Sequence, residues 1–178
     1  MSDIHIEVVA DNSEEFKRKM KEGVEAALEA VGNQAVSHSK NIVTAKVPRS
    51  PESWYNLTGN LRNSISHEVK MSDDAVYIGT NVEYAVYNEY GTGVYADTGK
   101  TTGWWVFVPG SGTGNGSRSG KRYSEKEARK IVAAMRAKGI DAHMTQGMKP
   151  IHFIRDAVQG HEKEYESIII SEIKKKLE

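Results

Sequence analysis

Residues able to do chemistry fall in a few places along the chain, and each can be checked against the spacing its chemistry requires. The glycine- and serine-rich stretch 110–120 follows a strand-like run and precedes a helix, the setting of a phosphate-cradling loop. Counting back from Gly120-Lys121 puts Asn115 where that loop needs its first glycine, and Arg122 where it needs a magnesium-binding hydroxyl, so the pattern fails. Nor does it open the βαβ unit, with a downstream acid, of a dinucleotide fold. His5, His38, His67, His143, His152 and His161 form no His-Glu-x-x-His pair and no run of ligand spacing. The sequence has no cysteine, which removes disulfides, thiol nucleophiles and thiolate metal sites. It also has no Gly-x-Ser-x-Gly elbow. Asp73-Asp74 is a carboxylate pair, but between two strand-like runs it reads as a turn. No catalytic, cofactor-binding or metal-binding residue is assigned and no cofactor is expected. A hydrolase with a dispersed site is the remaining enzymatic reading.

What does stand out is local charge and aromatic placement. The 24 basic and 24 acidic side chains cancel overall, yet 118–138 carries eight basic residues against two acidic ones. Lys121, Arg122, Lys126, Arg129 and Lys130 are the candidates there for contact with DNA or an acidic partner. A solvated helix face, head-to-tail pairing of copies, and nucleic-acid binding all suit such a run. Tyr84, Tyr87 and Tyr90 recur every three residues and share one side of a short helix, which Gly91 and Gly93 then stop. A tyrosine joins a large apolar ring to a polar tip, which suits interfaces. In Trp104-Trp105, adjacent strand positions face opposite ways, so one ring is expected in the core and the other on a partner. Tyr87, Tyr90, Trp104, Trp105 and Arg62 are the candidate interface residues.

These side chains need a frame, and the frame reads as α+β. A chain of 178 residues fits a single domain, 1–178, here with an inserted strand-loop-helix arm over 94–145. Ile4, Ile6 and Val8 alternate as a strand. A helix capped near Asn12 or Ser13 follows, with an apolar stripe through Phe16, Met20, Ala27, Val31, Ala35 and Ile42, about 45 Å long. Gly32-Asn33 is expected to bend or break it. Pro48 and Pro51 mark a loop, Thr58 caps a short turn, and 64–80 reads as a hairpin about Asp73-Asp74. Ser124 with Glu127 makes a capping box, Ile140, Ala142 and Met144 alternate as a strand, and a long helix is expected from about Ile151. The architecture is a small antiparallel sheet packed against two long helices. No signal peptide is expected from the residues at 1–9, and no apolar run in the sequence reaches membrane length.

Three segments together carry a family resemblance. Thr58-Gly59-Asn60-Leu61-Arg62-Asn63-Ser64-Ile65, then Tyr84-Ala85-Val86-Tyr87-Asn88-Glu89-Tyr90-Gly91-Thr92-Gly93, then Gly147-Met148-Lys149-Pro150-Ile151-His152-Phe153-Ile154-Arg155-Asp156-Ala157 resemble the tailed-bacteriophage neck and tail-completion family. Its members are labelled gene-product-ten-like head-tail joining proteins or minor tail components. His152 departs from the family pattern, which often has proline there, and so does the insertion 94–145. The resemblance implies a non-enzymatic virion protein, assembled in the bacterial host, that forms a six-fold or twelve-fold homo-oligomeric ring at the head-tail junction. Its partners would be the neighbouring connector and tail proteins, with transient DNA contact in the channel and no membrane. The alternative is a nucleic-acid-binding module using 118–138. On this reading, valine at Gly91 and Gly93 is expected to disturb assembly more than the folded core.

Overall fold

The computed structural model describes residues 12–46, 59–108 and 121–178. The strand expected through Ile4, Ile6 and Val8, the loop expected at Pro48 and Pro51, the Thr58 cap and the 110–120 loop lie outside the described residues. The described parts gather into two compact units, one from Met1–Ser37, Ser66–Gly79 and Val158–Glu178, the other from His38–Ile65 and Thr80–Ala157.

In the first unit, helix α1 (Ser13–Lys46) begins with Glu14 and Glu15 in its first turn, at the positive end of the helix dipole. It buries Gly23, Ala27, Val31 and Ala35, four residues apart each time. Phe16, expected on this stripe, is exposed. The expected break at Gly32 does not occur, because α1 runs through it as continuous helix. The glycine serves approach instead: a Cβ built there would lie 2.3 Å from Cδ2 of His67. Gly23 likewise admits α6 (Glu162–Leu177), with its Cβ position 3.2 Å from the Cα of Ile173. Strands β1 (Ser66–Lys70) and β2 (Ala75–Gly79) form the expected hairpin, antiparallel from Ser66 opposite Gly79 to Lys70 opposite Ala75. Asp73 builds the turn, accepting hydrogen bonds from Ser72 Oγ and from the Tyr77 hydroxyl, both at 2.9 Å. Val76 and Ile78 then pack with Ile168 and Ile169 on the core of Val31, Ala35 and Tyr165.

The second unit holds the last turns of α1, α2 (Asn60–Ser64), α3 (Ala85–Tyr90), a 3-10 turn at Gly93–Tyr95, and β3 (Trp105–Phe107). After these come α4 (Glu125–Arg136), β4 (His143–Thr145) and α5 (Arg155–Gln159), whose last residues belong to the first unit. β3 and β4 pair antiparallel, with Trp105 opposite Thr145 and Phe107 opposite His143, whose rings stack at 5.5 Å. α4 lies against both strands, with Ala128 and Val132 buried. Its capping box forms as the sequence predicts: Glu127 N–H donates to Ser124 Oγ, and Ser124 N–H to Glu127 Oε2. The Ser124 hydrogen bonds hold the Glu127 carboxyl below the usual carboxylate range.

Mixed helix and strand confirm the α+β class, with two separate two-stranded sheets in place of one. The last helix differs more. Rather than starting at Ile151, it is split into α5 and α6 at Gly160-His161, and 151–154 is not helical. The N–H groups of Ile151 and Ile154 are engaged by α3, which draws this segment away from helical pairing.

Candidate assembly interface

Helix α3 is short, and its own hydrogen bonds would not hold it in water. What fixes it is the segment 146–156. On its inner side Ala85, Asn88 and Glu89 are buried. The Glu89 carboxylate accepts the N–H of Arg155 through Oε1 and that of Ile154 through Oε2, both at 2.9 Å. It thereby satisfies two amides at the start of α5 that would otherwise have no helical partner. The Asn88 carbonyl accepts the N–H of Ile151 at 2.8 Å, and its side chain donates to the Tyr84 carbonyl at 3.0 Å.

The glycines after α3 continue the join. Thr92 N–H donates to the Met148 carbonyl at 2.9 Å, Val94 N–H to the Gln146 carbonyl at 3.1 Å, and Met148 N–H to Thr92 Oγ1 at 2.9 Å. Two backbones this close leave no room for a side chain. A Cβ on Gly93, at φ 66°, would lie 1.9 Å from the Gln146 carbonyl oxygen, and one on Gly91, at φ 71°, 2.8 Å from that of Met148. Valine at either position therefore strikes the fold of this unit itself, which corrects the expectation that assembly would suffer first.

Charged groups reinforce the same segment. Arg155 Nη1 bonds Asp97 Oδ2 at 2.9 Å, while Asp97 Oδ1 lies 3.6 Å from His152 Nε2. Lys46, at the end of α1, donates to the Ile151 carbonyl at 3.0 Å and to Asp156 Oδ2 at 2.6 Å. That hydrogen bond, opposed by partial desolvation, sets the Asp156 carboxyl below its ordinary value. His152 adopts φ 50°, a conformation closed to proline, so its departure from the resembled pattern comes with a different local backbone.

With its inner side anchored, α3 turns aromatic groups outward. Tyr84, Val86, Tyr87, Tyr90 and Tyr95 are all exposed, Tyr90 by 51% and Tyr87 by 44%. The two tryptophans do not divide into one inside and one outside. Both are half-buried: Trp105 covers Gly93 and lies under the Arg122 guanidinium at 5.7 Å, and Trp104 forms a backbone bridge with Tyr123. Arg62 is exposed and donates from Nε to Thr44 Oγ1 at 3.0 Å. In the basic run, Arg129 pairs with Glu125 at 2.6 Å and Lys121 stands over the Tyr123 ring at 5.4 Å, while Lys126 and Lys130 are exposed. The structure thus brings Tyr87 and Tyr90 onto one rigid exposed surface and ties Trp105 to Arg122. It leaves Arg62 beside α1.

Glu89 and Asn88 were missed as supporting residues. A signal was present for Glu89, since an acid on the side of the helix opposite the tyrosines must find partners once buried, but Asn88 lies one turn from Tyr84 and gave none.

Residues 6–91 match the family described as "Bacteriophage HK97-gp10, putative tail-component". The match spans α1, α2, the β1–β2 hairpin and α3, and ends at Gly91. No curated protein and no solved structure matches the chain.

Proposed function

From the match of residues 6–91 to this phage tail-component family, we propose that the chain is a structural subunit of a tailed-phage virion or tail-like particle. Copies form a closed ring at the head-tail junction, completing the neck or tail around the DNA channel and contacting connector and tail proteins above and below. The observation that carries this reading is the family match over residues 6–91. The exposed tyrosine surface of α3 supports it, because it is a rigid aromatic face of the kind that anchors protein contacts. A ring needs two different faces on each copy, and this chain has an aromatic face and a basic one. No helix among the described residues is long and apolar enough to cross a membrane.

The alternative, nucleic-acid binding through 118–138, draws on the same basic residues. It has less support because Arg129 is paired with Glu125, and Arg122 and Lys121 lie over rings of their own chain. Sedimentation of the purified chain, alone and with purified connector or tail rings, tests the proposal. A closed oligomer or a stoichiometric complex is expected; a chain that stays monomeric and joins neither ring would overturn it. Steeply salt-dependent affinity for DNA in that monomer would favour the alternative.

A further inference from the structure

Two exposed faces of the second unit are chemically complementary and unpartnered among the described residues. On α3, Tyr87 and Tyr90 present open rings, with Tyr84 and Val86 beside them. On α4, Lys126, Lys130 and Ala133 fall at i, i+4 and i+7 on the side opposite buried Ala128 and Val132, and all three are exposed. Among the described residues neither lysine lies over a ring or within ion-pair distance of a carboxylate, although, beside the Ser124 hydrogen bonds, the charge of Lys130 helps to lower the Glu127 carboxyl one turn away.

Cations over aromatic rings are a pairing this chain already makes repeatedly. Lys121 stands over Tyr123 at 5.4 Å, Lys149 over Tyr95 at 5.8 Å, Arg122 over Trp105 at 5.7 Å and Lys70 over Tyr77 at 5.1 Å. In each case an ammonium or guanidinium group sits at the electron-rich face of a ring. Among the described residues Tyr87 and Tyr90 have no such cation, and Lys126 and Lys130 have no such ring. The small side chain of Ala133 leaves space for a ring to lie flat beside the lysine stems.

We propose that the occupant of the α3 tyrosine face is the α4 face of a second copy of this chain, Lys126 and Lys130 covering Tyr87 and Tyr90. The contact is heterologous, so each copy offers its tyrosines to one neighbour and its lysines to the other, and repetition closes a ring. This inference rests on the ring reading above and names the surfaces that build the ring.

The test uses the full chain in three forms at matched concentration, with mass measured by sedimentation velocity and folding by circular dichroism. The forms are wild type, Lys126→Glu/Lys130→Glu, and Tyr87→Ser/Tyr90→Ser. Wild type is expected to assemble, more weakly as salt rises, and each double variant to associate at least tenfold less. Mixed in equal amounts, the two variants are expected to form a one-to-one dimer and nothing larger, since together they retain one intact pair of faces. Tyr87→Phe/Tyr90→Phe, which keeps the rings, is expected to assemble as wild type does. Assembly of the lysine variant at wild-type strength, or a mixture that stays monomeric while wild type assembles, would overturn this interface and leave the ring reading standing. A monomeric wild type also overturns the interface, and the ring reading falls with it only if that chain joins neither connector nor tail rings.

Discussion

Glu89 Oε1 accepts the backbone N–H of Arg155 at 2.9 Å, across 66 residues of chain. With Oε2 on the Ile154 N–H, the carboxylate joins the tyrosine helix to the segment that leads into α5. Removing it leaves two amides without their acceptor in a site where Glu89 is only 6% exposed. Glu89→Ala is expected to cost about 2–3 kcal/mol in urea unfolding. Glu89→Gln, which keeps one acceptor oxygen, should cost less.

Gly93 faces the Gln146 carbonyl at a positive φ. Gly93→Val combines backbone strain with overpacking, together about 3 kcal/mol. Its effect should appear in the folding of the purified chain, before any assembly assay. A variant that unfolds like wild type but fails to assemble would restore the view that these glycines only direct the arm.

Gly32 supplies a contrast inside a helix. Alanine there should stabilise an isolated helix by about 1 kcal/mol, yet its methyl group would press on the His67 ring, which Glu29 holds at 2.8 Å. Gly32→Ala alone is therefore expected to destabilise by about 1–2 kcal/mol. In a His67→Ala background the same change should become neutral or stabilising, and the double-mutant cycle measures the difference.

Lys46 and Asp156 give a pH dependence of known sign. The folded-state Asp156 value is lowered from 3.8, so the pair's stabilisation is fully present above pH 3.8 and lost as pH falls through the lowered value. Both side chains are partly exposed, 45% and 40%, which limits the effect to about 1 kcal/mol or less. Acid unfolding of Asp156→Asn against wild type should converge at low pH and diverge above it.

Much of the frame was legible in the sequence because it depends on local rules. The period of α1, the Asp73-Asp74 hairpin and the Ser124/Glu127 capping box each follow from neighbouring residues, and all three form. That Tyr87 and Tyr90 share one side of a short helix was legible from their spacing, but that this side is exposed was not, since such a pair suits a core face equally well. What local rules misjudged was decided by distant partners. Gly32 lies inside a continuous helix and leaves room for His67 of the hairpin, and 151–154 is not helical because Asn88 and Glu89 take its amides. Trp104 and Trp105 are both half-buried, Trp105 under the guanidinium of Arg122 and Trp104 bridged through its backbone to Tyr123, partners about twenty residues away in the chain.

The tyrosine face separates stability from assembly. Tyr87→Ser/Tyr90→Ser removes two exposed rings and is expected to change unfolding free energy by no more than about 0.5 kcal/mol per site, while assembly is lost. A large stability loss would mean that these rings pack within the chain.

Electron cryomicroscopy of the phage particle that carries this protein addresses the central claim most directly. The account predicts a closed ring of this subunit at the head-tail junction, with Tyr87 and Tyr90 of each copy buried against the next. Density placing the chain elsewhere in the particle, or as isolated copies with those tyrosines facing solvent, would contradict it.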